Sequence, residues 1–154
     1  MRKSTGGLIS VLYRKGSIYK NMCLKELDIT ASEQSFLCTL YENNGVSQDF
    51  LSKYLNIDKA STARVIKSLI DKKIVKKIKN ENDKRENRIF LTDKAKDIRE
   101  EIFSVLDSWS TVLTQGMSEQ EKEQSYYYLQ KMVENVEKYE YDKHSKKERE
   151  YDGK

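Results

Sequence analysis

The chain has 154 residues, 35% of them charged, with a formal net charge of +4 and a mean hydropathy of −0.82. That is enough for one domain with a modest core, and a thin core for a lone globule. No apolar run approaches the roughly twenty residues a membrane span needs, and no basic-then-apolar leader marks secretion, so a cytoplasmic protein without membrane contact is expected.

The first predicted element is a helix patterned by Leu8, Ile9, Val11, Leu12, Ile18, Tyr19 and Met22. Cys23 lies late in it, near Lys20 and Lys25, and Cys38 follows. Their spacing fits no zinc pattern, and the single histidine, His144, lies near the far end, so neither a metal nor a cofactor is expected. Two readings of the thiols stay open: a redox switch at Cys23, its pKa lowered by the flanking lysines, or a reduced pair that simply packs.

From Ser47 the pattern becomes denser. Ser47 can cap a short helix that presents Phe50, Leu51, Tyr54 and Leu55 on one face. Asn56 and Ile57 make a tight turn, and Asp58 can cap a second helix over residues 59–73, which contain no Pro or Gly. With about 100° of turn per residue, Ala63, Ile66, Leu69 and Ile70 fall on an inner side, and Ser61, Arg64 and Ser68, flanked by Lys67, on an outer one. Arginine can fork onto the two acceptors of guanine, and hydroxyls can bond a base edge or a phosphate. The N-terminal residues of a recognition helix reach base edges, and here these are Lys59, Ala60 and Ser61, then Arg64. An ordinary solvated helix face looks the same in isolation; the next segment separates the two.

Residues 74–79 and 88–92 read as two β-branched and aromatic strands joined by a polar run, a hairpin with a charged tip. Its Lys76, Lys77, Lys79, Lys84, Arg85 and Arg88 can track a phosphate backbone or enter a minor groove. From Lys53 to Lys96 stand fourteen basic and six acidic side chains, a surplus of eight in a chain whose net charge is four. The rest is therefore net acidic, and the positive field is focused on this segment. Helix, tight turn, helix and basic hairpin make a winged helix-turn-helix, and point to double-stranded DNA.

Beyond the hairpin, Ile98, Ile102, Val105, Leu106, Trp109, Val112 and Leu113 pattern a long helix. Ser118 and Glu121 form the capping box of another, which carries Tyr128, Leu129, Met132, Val133 and Val136. A small wing and helix pair cannot cover these faces and that of the first helix, so pairing with a twofold mate is the economical solution. Residues 142–154 mix charges with almost nothing to bury and are expected to form a disordered tail.

Asp83-Lys84-Arg85 followed by Leu91-Thr92, just beyond a helix-turn-helix, resembles the wing signature of the MarR family of transcriptional regulators. The resemblance extends from near Leu8 to near Tyr139 and includes the lead-in Ile29-Thr30-Ala31-Ser32-Glu33 to the second helix. It implies a mainly α fold with a small β-hairpin wing, organised as one subunit over residues 1–141. Dimerisation helices at 8–28 and 96–139 would flank a DNA-binding region at 30–95. By the same resemblance Arg85 is the wing-tip arginine of the minor groove, and Asp83 holds the wing in shape by pairing with a basic neighbour. Lys59, Ser61, Arg64, Lys67 and Ser68 of the recognition helix, with Lys79, Lys84 and Arg88 of the wing, then meet the DNA. The resemblance also implies a homodimer and a small aromatic or phenolic effector, held in a crevice bordered by Tyr13, Tyr19, Met22, Phe36 and Trp109. Two positions depart from the family pattern. Lys73 and Ala95 stand where many members carry Gly, and Lys73 must either adopt a strained left-handed cap or end its helix differently.

The expected function is thus sequence-specific regulation of transcription, as a repressor released from an inverted-repeat operator by a small molecule. The alternatives are a winged-helix module that binds protein or RNA, and a cysteine-based redox-sensing regulator. An enzyme finds no support, because the sequence offers no carboxylate pair, no nucleophile with a base and no glycine-rich phosphate loop.

Overall fold

The computed structural model describes residues 4–79 and 87–151, which fall into two units, Met1–Thr111 and Val112–Lys154. In the first unit, Ser4 caps α1 (Thr5–Cys23) by accepting from the Gly7 amide. A single 3-10 turn, Lys25–Leu27, ends on a left-handed Asp28 and leads into α2 (Ala31–Glu42). α2 opens with a reciprocal capping box, in which Thr30 Oγ1 accepts from the Glu33 amide at 3.2 Å and Glu33 Oε2 from the Thr30 amide at 2.8 Å. The box satisfies two of the donors that a helix start leaves open. A two-residue strand, β1 (Val46–Ser47), precedes α3 (Gln48–Tyr54), capped by Ser47, and α4 (Lys59–Asp71), capped by Asp58. Both caps agree with the sequence reading. So does the turn between them, where Asn56 takes a φ of 52°, a left-handed value that asparagine tolerates.

The chain then forms β2 (Val75–Lys79), β3 (Asn87–Leu91), a short α5 (Asp93–Asp97) and α6 (Arg99–Leu113). The three strands make an antiparallel sheet in the order β1-β3-β2, with Val46 opposite Ile89 and a ladder from Val75–Leu91 to Lys79–Asn87. β1 was not legible as a strand, because two residues carry no alternation. Gly45 lets it reach the sheet: at a φ of 82° its amide donates to Ile89 O at 2.9 Å.

One apolar cluster joins these elements, centred on Phe36, Leu37, Leu40, Leu51, Ile66, Leu69, Ile89 and Ile102. Gln34 adds a polar tie, its Nε2 donating to Ile102 O at 2.9 Å from within the core. The second unit begins in the last turn of α6 and contains α7 (Glu119–Tyr151). The expected capping box opens α7, with the Glu121 amide on Ser118 Oγ at 3.3 Å and the Ser118 amide on Glu121 Oε2 at 2.8 Å. Among the described residues no helix is long and apolar enough to cross a membrane.

Four expectations shift. On α4 Ile66 and Leu69 are buried and Ile70 partly so, as expected, but the first inner position is Thr62 and Ala63 is exposed. On α3 only Leu51 and Ser52 are buried; Phe50 and Tyr54 lie on the surface and stack on each other with centroids 5.5 Å apart. The long helix after the wing breaks at Ile98 into α5 and α6. The backbone of α7 runs to Tyr151, through most of the segment expected to be disordered, and no Pro or Gly interrupts the sequence before Gly153.

Candidate nucleic-acid interface

The Asp58 cap fixes where α4 starts and therefore which side chains lead it. Asp58 Oδ1 accepts from the Ser61 amide at 2.8 Å, and the amide and hydroxyl of Ser61 hold the Asp58 carboxyl below its usual pKa. From that start Lys59, Ala60, Ala63, Arg64 and Lys67 form an exposed stripe at helical spacing. Two alanines stand among its three cations, leaving room for a close approach. Arg64 Nη2 donates to Ser61 Oγ at 2.7 Å, and Lys59 Nζ pairs with Asp49 of α3 at 3.0 Å. Both contacts are exposed and cheap to exchange for another acceptor. Ser68 is different. Its hydroxyl turns inward to donate to Glu33 Oε1 at 2.7 Å, so the stripe is covered at this position and Ser68 is engaged within the chain.

The wing continues the basic surface. Among the described residues β2 pairs with β3 alone, and it exposes Lys76, Lys77, Ile78 and Lys79, while Lys77 Nζ reaches Gln48 Oε1 of α3 at 2.9 Å. Arg88, on β3, directs Nη1 to Gly45 O at 3.4 Å. Asp83, Lys84 and Arg85 lie outside the described residues. Where α4 leaves for the wing, Lys73 takes a φ of 60°, the strained of its two alternatives, and Thr92 Oγ1 donates to its carbonyl at 2.8 Å. Ala95 is fully buried in α5, and its carbonyl accepts from the Tyr41 hydroxyl.

A cleft of about 440 Å³ opens between α1, the start of α2 and the turn of the helix-turn-helix. Its walls are Tyr13, Ser17, Lys20, Asn21, Thr30, Ala31, Ser32, Ser35, Leu55, Asn56 and Ile57. Of the five side chains assigned to an effector crevice, this cleft takes Tyr13. Phe36 is wholly inside the core, Met22 is exposed, and Tyr19 and Trp109 face each other with centroids 5.2 Å apart. Gly16 permits that pair, since a Cβ there would stand 3.1 Å from the indole. Of the thiols, Cys23 is exposed, whereas Cys38 is half-buried and its pKa is pushed up to about 11, first by burial and then by Glu42. Cys38 is therefore a protonated packing thiol at neutral pH.

A MarR regulator from Methanosarcina mazei Go1 superposes on 86% of this chain and 96% of its own with a TM-score of 0.83, at 34% sequence identity. The chain belongs to the MarR family of transcriptional regulators. The MarR family model itself matches residues 29–87, from the lead-in to α2 to the first residue of β3. A helix-turn-helix-type regulator of Bacillus subtilis, the uncharacterised YybA, is 28% identical over 130 residues, 84% of this chain and 87% of its own. A mutant MarR from E. coli, solved in complex with operator DNA, is similar over 83% of this chain and 92% of its own, with a TM-score of 0.76 and 28% identity. This MarR-family chain is a transcriptional regulator built on the DNA-binding winged-helix fold.

Sequence reasoning missed Ala63, Glu33 and Lys72 as parts of the recognition-helix environment. The Thr30-to-Glu33 spacing was the available signal for the second of these, since it is that of a capping box.

Proposed function

We propose that this protein is a homodimeric repressor that binds an inverted-repeat operator in double-stranded DNA and is released by a small aromatic or phenolic acid. The observation that carries the reading is the exposed stripe of Lys59, Ala60, Ala63, Arg64 and Lys67, held outward beside the basic strand β2. Arg64 and Ser61 would face base edges in the major groove. Lys59 and Lys67 would meet the flanking phosphates, with Lys79, Lys84, Arg85 and Arg88 of the wing along the neighbouring backbone or minor groove. Asp83 would brace the wing tip.

The dimer is supported by apolar surface that the single chain leaves open. On α1, Leu8, Ile18 and Met22 are each about two-thirds exposed, at 68%, 69% and 66%, and on α7 Leu129, Val133 and Val136 are half exposed or more. Faces of this kind mark interaction sites. A twofold pair sets two recognition helices about 34 Å apart, one turn of DNA, and so requires an inverted repeat.

The cleft supports an effector. Its volume lies within the range of small-molecule sites, Tyr13 supplies an aromatic wall, and Lys20 supplies a partner for a carboxylate. Leu55, Asn56 and Ile57 belong to it, so an occupant bears on the start of α4 and can favour a geometry that no longer matches the operator. A regulator of this kind works beside the chromosome, in the cytoplasm.

The test is an anisotropy titration of the purified protein against the DNA flanking its own coding region, with random duplex as competitor. Tight binding that leaves a symmetric footprint is the expected result. Affinity equal to that for random DNA would leave two readings, an operator elsewhere in the chromosome or a winged-helix module for protein or RNA, which site selection from a random pool separates.

A further inference from the structure

We infer that Glu33 is a positioning residue for DNA recognition: its buried carboxylate sets the rotation of α4 about its own axis, and with it the aim of Arg64. The inference rests on the DNA-binding reading above. Glu33 is 2% exposed and holds four groups at once. Oε2 accepts from the Thr30 amide at 2.8 Å and from Lys72 Nζ at 2.9 Å, Oε1 accepts from Ser68 Oγ at 2.7 Å, and the Glu33 amide donates to Thr30 Oγ1 at 3.2 Å. Lys72 Nζ also donates to Asp28 O at 2.6 Å, which draws the exit of α4 onto the loop before α2.

A capping box is satisfied by glutamine as well as by glutamate. The charge at position 33 is therefore not needed to start α2. A buried ion pair adds little net stability, because desolvation offsets most of the attraction, but it defines one geometry sharply.

Ser68 and Lys72 lie one and two turns beyond Arg64 on the same stripe of the helix. The stripe is exposed at Arg64 and covered by Glu33 at Ser68, so a roll of α4 that stretches the Ser68 bond swings Arg64 through the same angle. A roll of roughly 20° displaces an atom about 6 Å from the helix axis by about 2 Å, several times the roughly 0.5 Å tolerance of a specific contact. Glu33 itself touches no DNA in this arrangement.

The experiment compares wild type with Glu33→Gln, Lys72→Met and Ser68→Ala on two duplexes of equal length, one selected by the wild type from a random pool and one random, at a temperature where all are folded. Glu33→Gln should lose roughly two- to thirtyfold on the selected duplex and little on the random one. Its salt slope should stay unchanged, since no phosphate contact is removed. Adding Ser68→Ala to Glu33→Gln should cost less than it does alone, because the two act through one bond. An unchanged ratio between the duplexes, or equal losses on both, overturns the positioning role. Lys72→Met supplies the same comparison if Glu33→Gln does not fold. A wild type that selects no sequence refutes the DNA reading instead, and amide exchange then judges Glu33. Faster exchange confined to α4 of Glu33→Gln upholds its hold on the helix, and unchanged exchange there overturns it.

Discussion

The ring of Phe90 lies so close over Gly45 that a Cβ at position 45 would stand 2.6 Å from Phe90 Cε1. Glycine is required there twice, once for the positive φ and once for the ring, and the contact brings β1 against the central strand. Gly45→Ala should lower stability by roughly 1–3 kcal/mol, as overpacking does elsewhere, measured by thermal unfolding. A loss too small to detect would mean that Phe90 has room to swing away.

Lys73 offers the opposite case. Here a residue with a side chain holds a left-handed backbone, at the exit from α4. Lys73→Gly should relieve the strain and, after the entropy that glycine adds to the unfolded chain, raise stability by roughly 0.5–1 kcal/mol. The reading is the urea midpoint at constant slope, and a lower midpoint would show that the Lys73 side chain contributes more than its backbone costs.

Arg64→Ala should weaken binding to the cognate operator by roughly 1–3 kcal/mol and weaken binding to random DNA less, because a base contact carries sequence information. Anisotropy on both duplexes measures this. Equal losses would reassign Arg64 to the phosphate backbone.

Acid should loosen α4 through Glu33. Burial pushes the pKa of this carboxyl up, but hydrogen bonds from Ser68, Thr30 and Lys72 outweigh it, so the folded value lies below the usual 4.5. A depressed carboxylate contributes stability that is present above the unfolded pKa and lost as pH falls through the folded one. Asp58 and Glu121 are depressed as well, so the useful quantity is the difference between wild type and Glu33→Gln. The stability curve of the variant should be flatter below about pH 4.5. Parallel curves would show that this carboxylate has no share in the acid transition.

The caps and the turn chemistry were legible in the sequence, because Ser47, Asp58, Ser118 and Glu121 act on backbone within three residues of themselves. The winged helix-turn-helix followed from their order. The facing of α4 was only half legible. Thr62 and Ala63 are neighbours, one with a hydroxyl and one apolar, and which one turns inward depends on α2 and α3, elements that a helical wheel does not contain. Ser68 shows the same limit. A helical wheel puts it with Arg64, but its hydroxyl is taken by Glu33, which lies thirty-five residues away in sequence. Phe36 and Tyr13 are both aromatic residues on helices, and only the packed structure puts one in the core and the other in a cleft wall.

The wing ladder closes at Lys79–Asn87, and its root is anchored by buried Val75, Ile89 and Leu91. Register is thus set within the two strands themselves, by the residues that pair and pack at their root. Descendants of one ancestral chain can therefore vary the cations along the exposed part of β2 while its buried root is inherited intact, which leaves selection on stability and selection on surface charge largely independent.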